Sequence, residues 1–144
     1  MSVDETAPDV EFDADPSRID RDALWTFLSQ HAYWSRHRTR EMVEAQLASA
    51  WRVVAAYRRD NGRMVAFARA VSDGVAIGYL ADVYVEPAER GHGLGVRLVE
   101  EMIENGPGRN FRWLLHTDDA HGLYAKFGFA APDGTFLERP RSHG

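Results

Sequence analysis

Hydrophobic residues recur at helical spacing in two segments near the start of the chain. The first covers residues 21–33 and follows Asp20, and the second covers residues 40–50 and follows Thr39. Asp and Thr are residues that cap helix N-termini. The apolar stripes consist of Leu24, Phe27 and Leu28 in the first segment and Met42, Val43 and Leu47 in the second. This spacing predicts two amphipathic helices, each with one buried face.

β-Branched and aromatic residues replace the helical pattern in the middle of the chain. The stretches are residues 51–58, 64–72 and 75–85. They are separated by Asn61-Gly62 and Asp73-Gly74, dipeptides that favour tight turns between antiparallel strands. The pattern therefore predicts an antiparallel meander of three strands. The last strand is long enough to contain a bend.

Helical and strand patterns alternate in the remainder of the chain. The predicted elements are a helix over residues 94–105, a strand over 111–117, a helix over 119–127 and a final strand over 135–138. The first of these carries leucines and a methionine on one face and three glutamates on the other, which is typical of a half-buried helix. The strand over 111–117 is almost continuously apolar and is predicted to be buried on both faces.

These elements, with a short first strand at residues 10–12, define the fold class. The order is β-α-α-β-β-β-α-β-α-β. Antiparallel hairpins dominate this order, and the helices between strands must cover the sheet. The sequence predicts an α/β protein with a mixed, mostly antiparallel sheet and helices on both faces.

Composition limits the classes of function. The chain has 144 residues, a net charge of -5 and no cysteine. This length suits one domain, and the absence of cysteine excludes disulfides, thiol nucleophiles and Cys-ligated zinc. The acidic balance disfavours nucleic acid as a partner. Six acidic residues precede the first basic residue, Arg18. Residues 1–9 are therefore predicted to be an acidic, disordered leader and residues 10–144 a single domain.

The distribution of apolar residues bears on localisation. No stretch approaches the ~18 consecutive apolar residues of a membrane-spanning helix. The first residues also lack the basic and then apolar pattern of a secretory signal. We therefore expect a cytoplasmic protein without a membrane partner.

Three glycines alternate in ERGHGLG, residues 89–95, directly before a predicted helix. A Walker loop requires a lysine after the glycine run, but Val96 follows Gly95. A dinucleotide-binding loop requires Gly or Ala at the position of Val96 and a preceding strand that opens a βαβ unit. Neither requirement is met, because the preceding strand belongs to the predicted antiparallel meander. The remaining pattern, Arg90-x-x-Gly93-x-Gly95, places backbone N–H groups at a helix N-terminus, where an anion is stabilised. It predicts a phosphate-binding loop, with a plain turn as the alternative.

Two segments together resemble the signature motifs of the GNAT acyltransferase superfamily. LADVYVEPAERGHGLG, residues 80–95, resembles a strand ending in V-x-V, a proline-containing loop and R/Q-x-x-G-x-G/A at a helix start. AHGLYAKFGF, residues 120–129, resembles the second motif, A-x-x-L/F-Y-x-K-x-G-F. The resemblance covers residues 51–129. It implies an N-acetyltransferase that uses acetyl-CoA as co-substrate.

The resemblance also implies where acetyl-CoA binds. In the superfamily the V-x-V strand diverges from the next strand, and the pantetheine arm bonds to the strand's backbone in the gap. Val83 and Val85 would supply that backbone, and the loop from Arg90 to Gly95 would hold the pyrophosphate. The implied contacts are Val83, Tyr84, Val85, Arg90, Gly91, His92, Gly93, Leu94, Gly95 and Tyr124.

Without cysteine, a route through an acyl-cysteine is impossible, so direct transfer to an amine in a ternary complex is expected. Tyr124 matches the superfamily's tyrosine that protonates the departing thiolate, and a phenol stays protonated at neutral pH. Its alternative role is a half-buried helix tyrosine. Two residues are candidate bases, acting directly or through water. Asp82 is a charge in an apolar strand that needs water or a partner, and His116 titrates near neutrality, although it could instead bond backbone.

The acceptor is expected to meet the connection between the first two helices. Tyr33 and Trp34 are the candidate substrate-binding residues on this segment. Arg36, Arg38 and Arg40 favour an acidic acceptor or are solvated arginines. Either a small molecule or a protein amine fits this prediction.

Three further predictions complete the set. The spacing of His116, Asp118, Asp119 and His121 matches no zinc site, so no metal is expected. An unpaired strand near the C-terminus could form a homodimer. A non-catalytic acyl-CoA-binding sensor on the same fold is the alternative function.

Overall fold

A computed structural model of the chain describes residues 9–32 and 37–142, which contain a five-stranded sheet. Its strands are β1 (Val10–Asp13), β2 (Arg52–Arg58), β3 (Met64–Ser72), β4 (Ile77–Val85) and β5 (Arg112–Leu115). They lie side by side in chain order. The first four pair antiparallel, and β5 pairs with β4 in parallel. The predicted meander is confirmed.

Four α-helices flank this sheet within the described residues. They are α1 (Arg21–Thr26), α2 (Arg40–Ser49), α3 (Leu94–Met102) and α4 (His121–Ala125). Asp20 and Thr39 cap α1 and α2 through their side chains, as the sequence predicts. The first helix departs from expectation after Thr26, because a π-helical turn over Phe27–His31 continues it. This turn places Phe27 against Tyr84 of β4, with ring centroids 4.5 Å apart.

The helices form two layers, one on each face of the sheet. Apolar residues of α3 pack with Tyr124 of α4 against one face. Apolar residues of α1, the π-helical turn and α2 pack with Phe67 and Tyr84 against the other face. Burial of both faces supplies the main stabilising free energy. The predicted fold class is confirmed.

A β-bulge interrupts the pairing of β3 with β4. Arg69 pairs with Asp82, but the next residue of β3, Ala70, pairs with Leu80, so Ala81 is an extra residue on β4. β5 pairs with β4 only from Ile77 to Leu80. A bulge bends its strand and increases the local twist. Beyond Leu80, β4 therefore continues beside β3 without a partner from β5.

Two expectations for the end of the chain are wrong. β5 is an edge strand and half-buried, whereas the sequence predicts a strand buried on both faces. Residues 135–138 form no strand in the described part of the chain. Its two large apolar residues, Phe136 and Leu137, are 37% and 89% exposed. Between the prolines at 132 and 140, the segment therefore buries little apolar surface. That burial is too small to hold it as a strand on the edge of the sheet.

The junction of β4 with β5 yields a stability prediction. An added Cβ at Gly78 would lie 2.7 Å from the Trp113 ring, which is held by a 2.8 Å hydrogen bond from its Nε1 to the Gly108 carbonyl. Gly78→Ala should therefore lower the free energy of unfolding by about 1–3 kcal/mol through overpacking. Gly122→Ala is the matched control, since nothing lies within 4 Å of the added methyl group. Urea unfolding measures both, and equal stability of the two variants would contradict the overpacking.

Candidate active site

A cleft of about 300 Å³ opens where β4 and β5 diverge. It is lined by the β4 residues Tyr79, Leu80, Ala81 and Val83, by His116 to Ala120 after β5, and by Tyr124 of α4. The residues that line the cleft include a phenol from each side, an imidazole and two carboxylates. The arrangement therefore brings Tyr124, His116 and the V-x-V strand together at one place.

The backbone of β4 faces this cleft with groups that no strand pairs. The Glu86 N–H donates to the Val65 carbonyl of β3 at 2.9 Å. Because successive residues of a strand bond to opposite sides, Val83 and Val85 turn their backbone groups towards the gap. The Val85 carbonyl there accepts a 2.9 Å hydrogen bond from Arg90 Nε. The Val83 N–H and carbonyl and the Val85 N–H face the gap without a strand partner among the described residues, an arrangement that suits an extended ligand.

The glycine-rich loop ends at the N-terminus of α3. Gly91 and Gly93 have φ angles of 88° and 78°, which only glycine adopts without strain. An added Cβ at either residue would have no atom within 4 Å, so the loop has an open face. Gly93 is the N-cap of α3, and no side chain in the described part of the chain caps the first N–H groups of this helix. These groups can hold an anion such as a pyrophosphate.

Tyr124 lies at the base of the cleft. Its side chain is buried, and its ring meets the edge of Phe129 with centroids 5.8 Å apart. Burial raises the pKa of the Tyr124 phenol, and the nearby Asp119 carboxylate adds to the increase. The hydroxyl therefore keeps its proton at neutral pH and can donate it.

Asp82 lies on the other face of the sheet, bound by two arginines. Arg38 donates to its carboxylate from Nη2 at 2.8 Å and from Nη1 at 3.1 Å. Arg69 donates from Nε at 2.8 Å. The Asp82 side chain is only 3% exposed, and those of Arg38 and Arg69 are 6% and 10% exposed. The partners that the sequence leads us to expect for this charge in β4 are therefore Arg38 and Arg69, which form a buried ion triad with Asp82.

His116 is bonded on both ring nitrogens. Nδ1 lies 2.7 Å from the Tyr79 hydroxyl, and Nε2 lies 3.0 Å from a carboxylate oxygen of Glu138. The sequence interpretation names neither Tyr79 nor Glu138. Tyr79 lies within one predicted strand and Glu138 within another. No local sequence pattern therefore indicates a functional role for either residue.

The residues predicted to meet the acceptor are either paired with carboxylates or lie outside the described part of the chain. Tyr33, Trp34 and Arg36 lie outside the described residues. Arg40 pairs with Asp22 at 2.6 Å, and Arg38 belongs to the triad with Asp82. Neither arginine is thus free to attract an acidic acceptor. In the described ranges, no three His, Asp or Glu side chains are placed to hold a metal ion, and no helix is long and apolar enough to cross a membrane.

Comparison with known proteins identifies the family. Residues 21–129 match the model of the acetyltransferase (GNAT) family. The chain belongs to this GNAT family. A crystal structure of a GNAT-family protein from Xanthomonas campestris is 32% identical. It superposes with a TM-score of 0.85, covering 94% of this chain and 95% of that one.

Two further proteins are similar to the chain, one in sequence and one in fold. A Gibberella zeae protein provisionally named an acetyltransferase is 31% identical over 108 residues, which are 73% of this chain and 58% of that protein. N-acetylglutamate synthase from Neisseria gonorrhoeae, solved with coenzyme A and N-acetyl-glutamate, shares the fold at 19% identity. Its TM-score is 0.67, covering 89% of this chain and 30% of that one. The chain spans 33% to 58% of the length of the curated relatives it matches.

The buried triad yields a second stability prediction. Asp82→Asn removes the charge that two buried guanidinium groups share, so the free energy of unfolding should fall by about 3–5 kcal/mol. Asp22→Asn is the control, because the Asp22 side chain is 88% exposed in its pair with Arg40. An exposed pair contributes about 0–1 kcal/mol. Denaturant unfolding of both variants checks the difference, and a loss at Asp82 no larger than that at Asp22 would contradict it.

Proposed function

We propose that this GNAT-family chain transfers the acetyl group of acetyl-CoA directly to a primary amine in a ternary complex. The observation that carries the proposal is the continuous path formed by the uncapped N-terminus of α3, the unpaired edge of β4 and the cleft at Tyr124. An anion site, an extended polar edge and a proton donor follow one another along this path. That order matches the pyrophosphate, the pantetheine arm and the thioester of acetyl-CoA.

The binding residues divide by the part of acetyl-CoA that each would hold. The N–H groups of the loop from Gly91 to Gly95 would bind the pyrophosphate, beside the guanidinium of Arg90. The backbone of Val83 and Val85 would bond the amides of the pantetheine arm as a neighbouring strand would. This alignment ends at the cleft, where the thioester would lie within reach of the Tyr124 hydroxyl.

Tyr124 supplies the general acid in this proposal. The amine nitrogen forms a bond to the thioester carbon, and the carbon–sulfur bond breaks as the Tyr124 phenol gives its proton to the sulfur. The resulting Tyr124 phenolate then takes a second proton from the attacking nitrogen and becomes a phenol again. The first proton, which makes the amine an ammonium ion with a pKa of about 10.4 for a lysine-like group, must leave before attack.

The position of His116 supports its assignment as the base for that first proton. It lines the cleft, whereas the Asp82 carboxylate is buried and bonded to Arg38 and Arg69. Both oxygens of the Asp82 carboxylate already accept hydrogen bonds from these guanidinium groups on the opposite face of the sheet from Tyr124. We therefore assign Asp82 a structural role and His116 the catalytic one.

Thiol release tests the proposal as a whole. The purified chain is incubated with acetyl-CoA and a panel of primary amines, and free thiol is measured together with acetyl-CoA binding by calorimetry. Amine-dependent thiol release is expected. Binding without thiol release for every amine would indicate a sensor, and absence of binding would contradict the cofactor assignment as well.

A conservative change at Tyr124 tests the general acid. Tyr124→Phe should lower kcat by about 10²- to 10⁴-fold, the range for a lost acid catalyst, with little change in the Kd for acetyl-CoA. Tyr57→Phe is the matched control, because the buried Tyr57 hydroxyl has no hydrogen-bond partner among the described residues. Unchanged turnover of Tyr124→Phe at saturating substrates would refute the assignment.

A change at Gly93 tests the phosphate loop. Gly93→Ala forces a side chain into the left-handed region, a strain of about 1–2 kcal/mol, and should weaken acetyl-CoA binding about tenfold by calorimetry. Gly62→Ala is the control, since its φ of 73° is similar and it also has nothing within 4 Å, but it lies in the β2–β3 turn. Both variants should lose stability and only Gly93→Ala should lose affinity. Equal affinity in the two would argue against the loop as the pyrophosphate site.

A further inference from the structure

We propose that Tyr79, His116 and Glu138 form a proton relay that removes the first proton from a cationic amine acceptor, with Tyr79 as the group that meets the amine. This inference rests on the proposed acetyl transfer and deepens it. It adds two residues, Tyr79 and Glu138, that the residues of the motifs do not include. It also gives the acceptor a chemical class, an ammonium ion.

The relay joins three separate parts of the chain. Tyr79 belongs to β4, His116 follows β5 and Glu138 lies in the segment after α4. The hydroxyl of Tyr79 is 2.7 Å from His116 Nδ1, and His116 Nε2 is 3.0 Å from Glu138 Oε2. The first hydrogen bond joins residues that are 37 positions apart in the sequence, and the second joins residues that are 22 positions apart. The three side chains thus form one hydrogen-bonded chain at the cleft.

The direction of the hydrogen bonds follows from the chemistry of the end group. An ionised carboxylate only accepts, so His116 must donate from Nε2 to Glu138. In the neutral imidazole, Nδ1 then carries the lone pair and accepts from the Tyr79 hydroxyl. The Tyr79 oxygen keeps its own lone pairs for a proton from outside. The chain therefore points from the cleft towards Glu138.

The relay and the general acid lie on opposite faces of the sheet. Leu80 and Tyr124 pack in the core beneath α3. Side chains alternate along a strand, so Tyr79 is directed to the face that carries α1 and α2. This agrees with the electrostatic effect that Asp82 and Arg69 of that face exert on Tyr79. An acetyl group in the gap would thus have its acid on one side and its base on the other.

The charges around the cleft favour a cationic acceptor. The charged and titratable groups that line it or face the relay are Asp118, Asp119, Tyr124, Glu138, Asp82 and Arg69. Arg69 is bonded to Asp82, and none of the described residues that line the cleft is a lysine or an arginine. Negative charges at the mouth of a cleft raise the local concentration of a cation. The expected substrate is therefore a protonated primary amine without a carboxylate beside it.

The proton steps balance. The ammonium group gives one proton to the Tyr79 oxygen as the Tyr79 proton moves to Nδ1 of His116. The products are a neutral amine, a neutral phenol and an imidazolium ion paired with the Glu138 carboxylate. After transfer, the imidazolium loses one ring N–H proton to water, which can reach the pair because the His116 and Glu138 side chains are 60% and 52% exposed. Burial and the Glu138 charge raise the pKa of Tyr79, so the phenol passes a proton on and does not remain ionised.

Kinetics of four relay variants and one control variant test the relay in the full chain. Tyr79→Phe and His116→Gln should each lower kcat about 10²-fold with the KM for acetyl-CoA unchanged. The double variant should be no slower than either single variant, because both interrupt the same chain. Glu138 is a positioning residue, so Glu138→Gln should give a smaller loss of kcat. Glu104→Gln, an exposed carboxylate in the turn after α3, should have no effect and is the control. Exposed polar contacts of this kind contribute little to stability, so the variants should fold.

Nitrogen-15 NMR gives a readout that needs no turnover. The wild-type imidazole of His116, assigned by its loss in His116→Gln, should be the Nε2–H tautomer, and Tyr79→Phe should shift its Nδ1 resonance. An Nδ1–H tautomer, or wild-type kcat in Tyr79→Phe, would overturn the relay. Failure of the wild-type chain to release thiol with any amine would contradict the acetyl transfer itself. The tautomer would then still decide whether the three groups are joined.

Discussion

The divergence of β4 from β5 is the feature on which the site depends. It begins at the bulge residue Ala81, one position after the last parallel pair between Leu80 and Leu115. A regular parallel pair would continue the hydrogen bonds and close the gap with backbone. Because the pairing stops, the strand keeps its bonds to β3 on one edge and offers free backbone groups on the other. A bulge here therefore exposes backbone groups of an inner strand without the need for a long loop.

The bulge also decides which face each side chain reaches. Leu80 packs under α3, whereas Asp82 lines a pocket with residues of α1 and α2 on the other face, although the two differ by an even number of positions. In an unbroken strand they would lie on the same face. The extra residue therefore lets one strand place an apolar side chain against the layer of α3 and a charged side chain on the face of α1 and α2.

Sequence reasoning succeeded where the signal is local. Periodic apolar positions, Asn-Gly and Asp-Gly turns and the caps Asp20 and Thr39 are properties of a few adjacent residues, and they predict the elements well. Sequence reasoning failed for residues 135–138, because their β propensity is not supported by burial of Phe136 and Leu137 against the rest of the protein. Asp82 shows the intermediate case. The sequence indicates that its charge needs a partner, but the partner Arg38 lies 44 residues away and follows only from the fold.

The two faces of the gap restrict how an acceptor can approach. Tyr124 and α3 lie on one face of the sheet, so in the proposed transfer an amine would approach from the face of α1 and α2. The π-helical turn ends at His31 on that face and α2 begins there at Arg40. The described residues on either side of the connection between them therefore lie on the same face as the proposed approach of the amine. The ion triad joins Arg38 of this connection to β4 through Asp82. Because apolar packing of similar volume would stabilise the fold as well as a buried ion triad does, we infer that the triad serves to fix the position of Arg38 against β4.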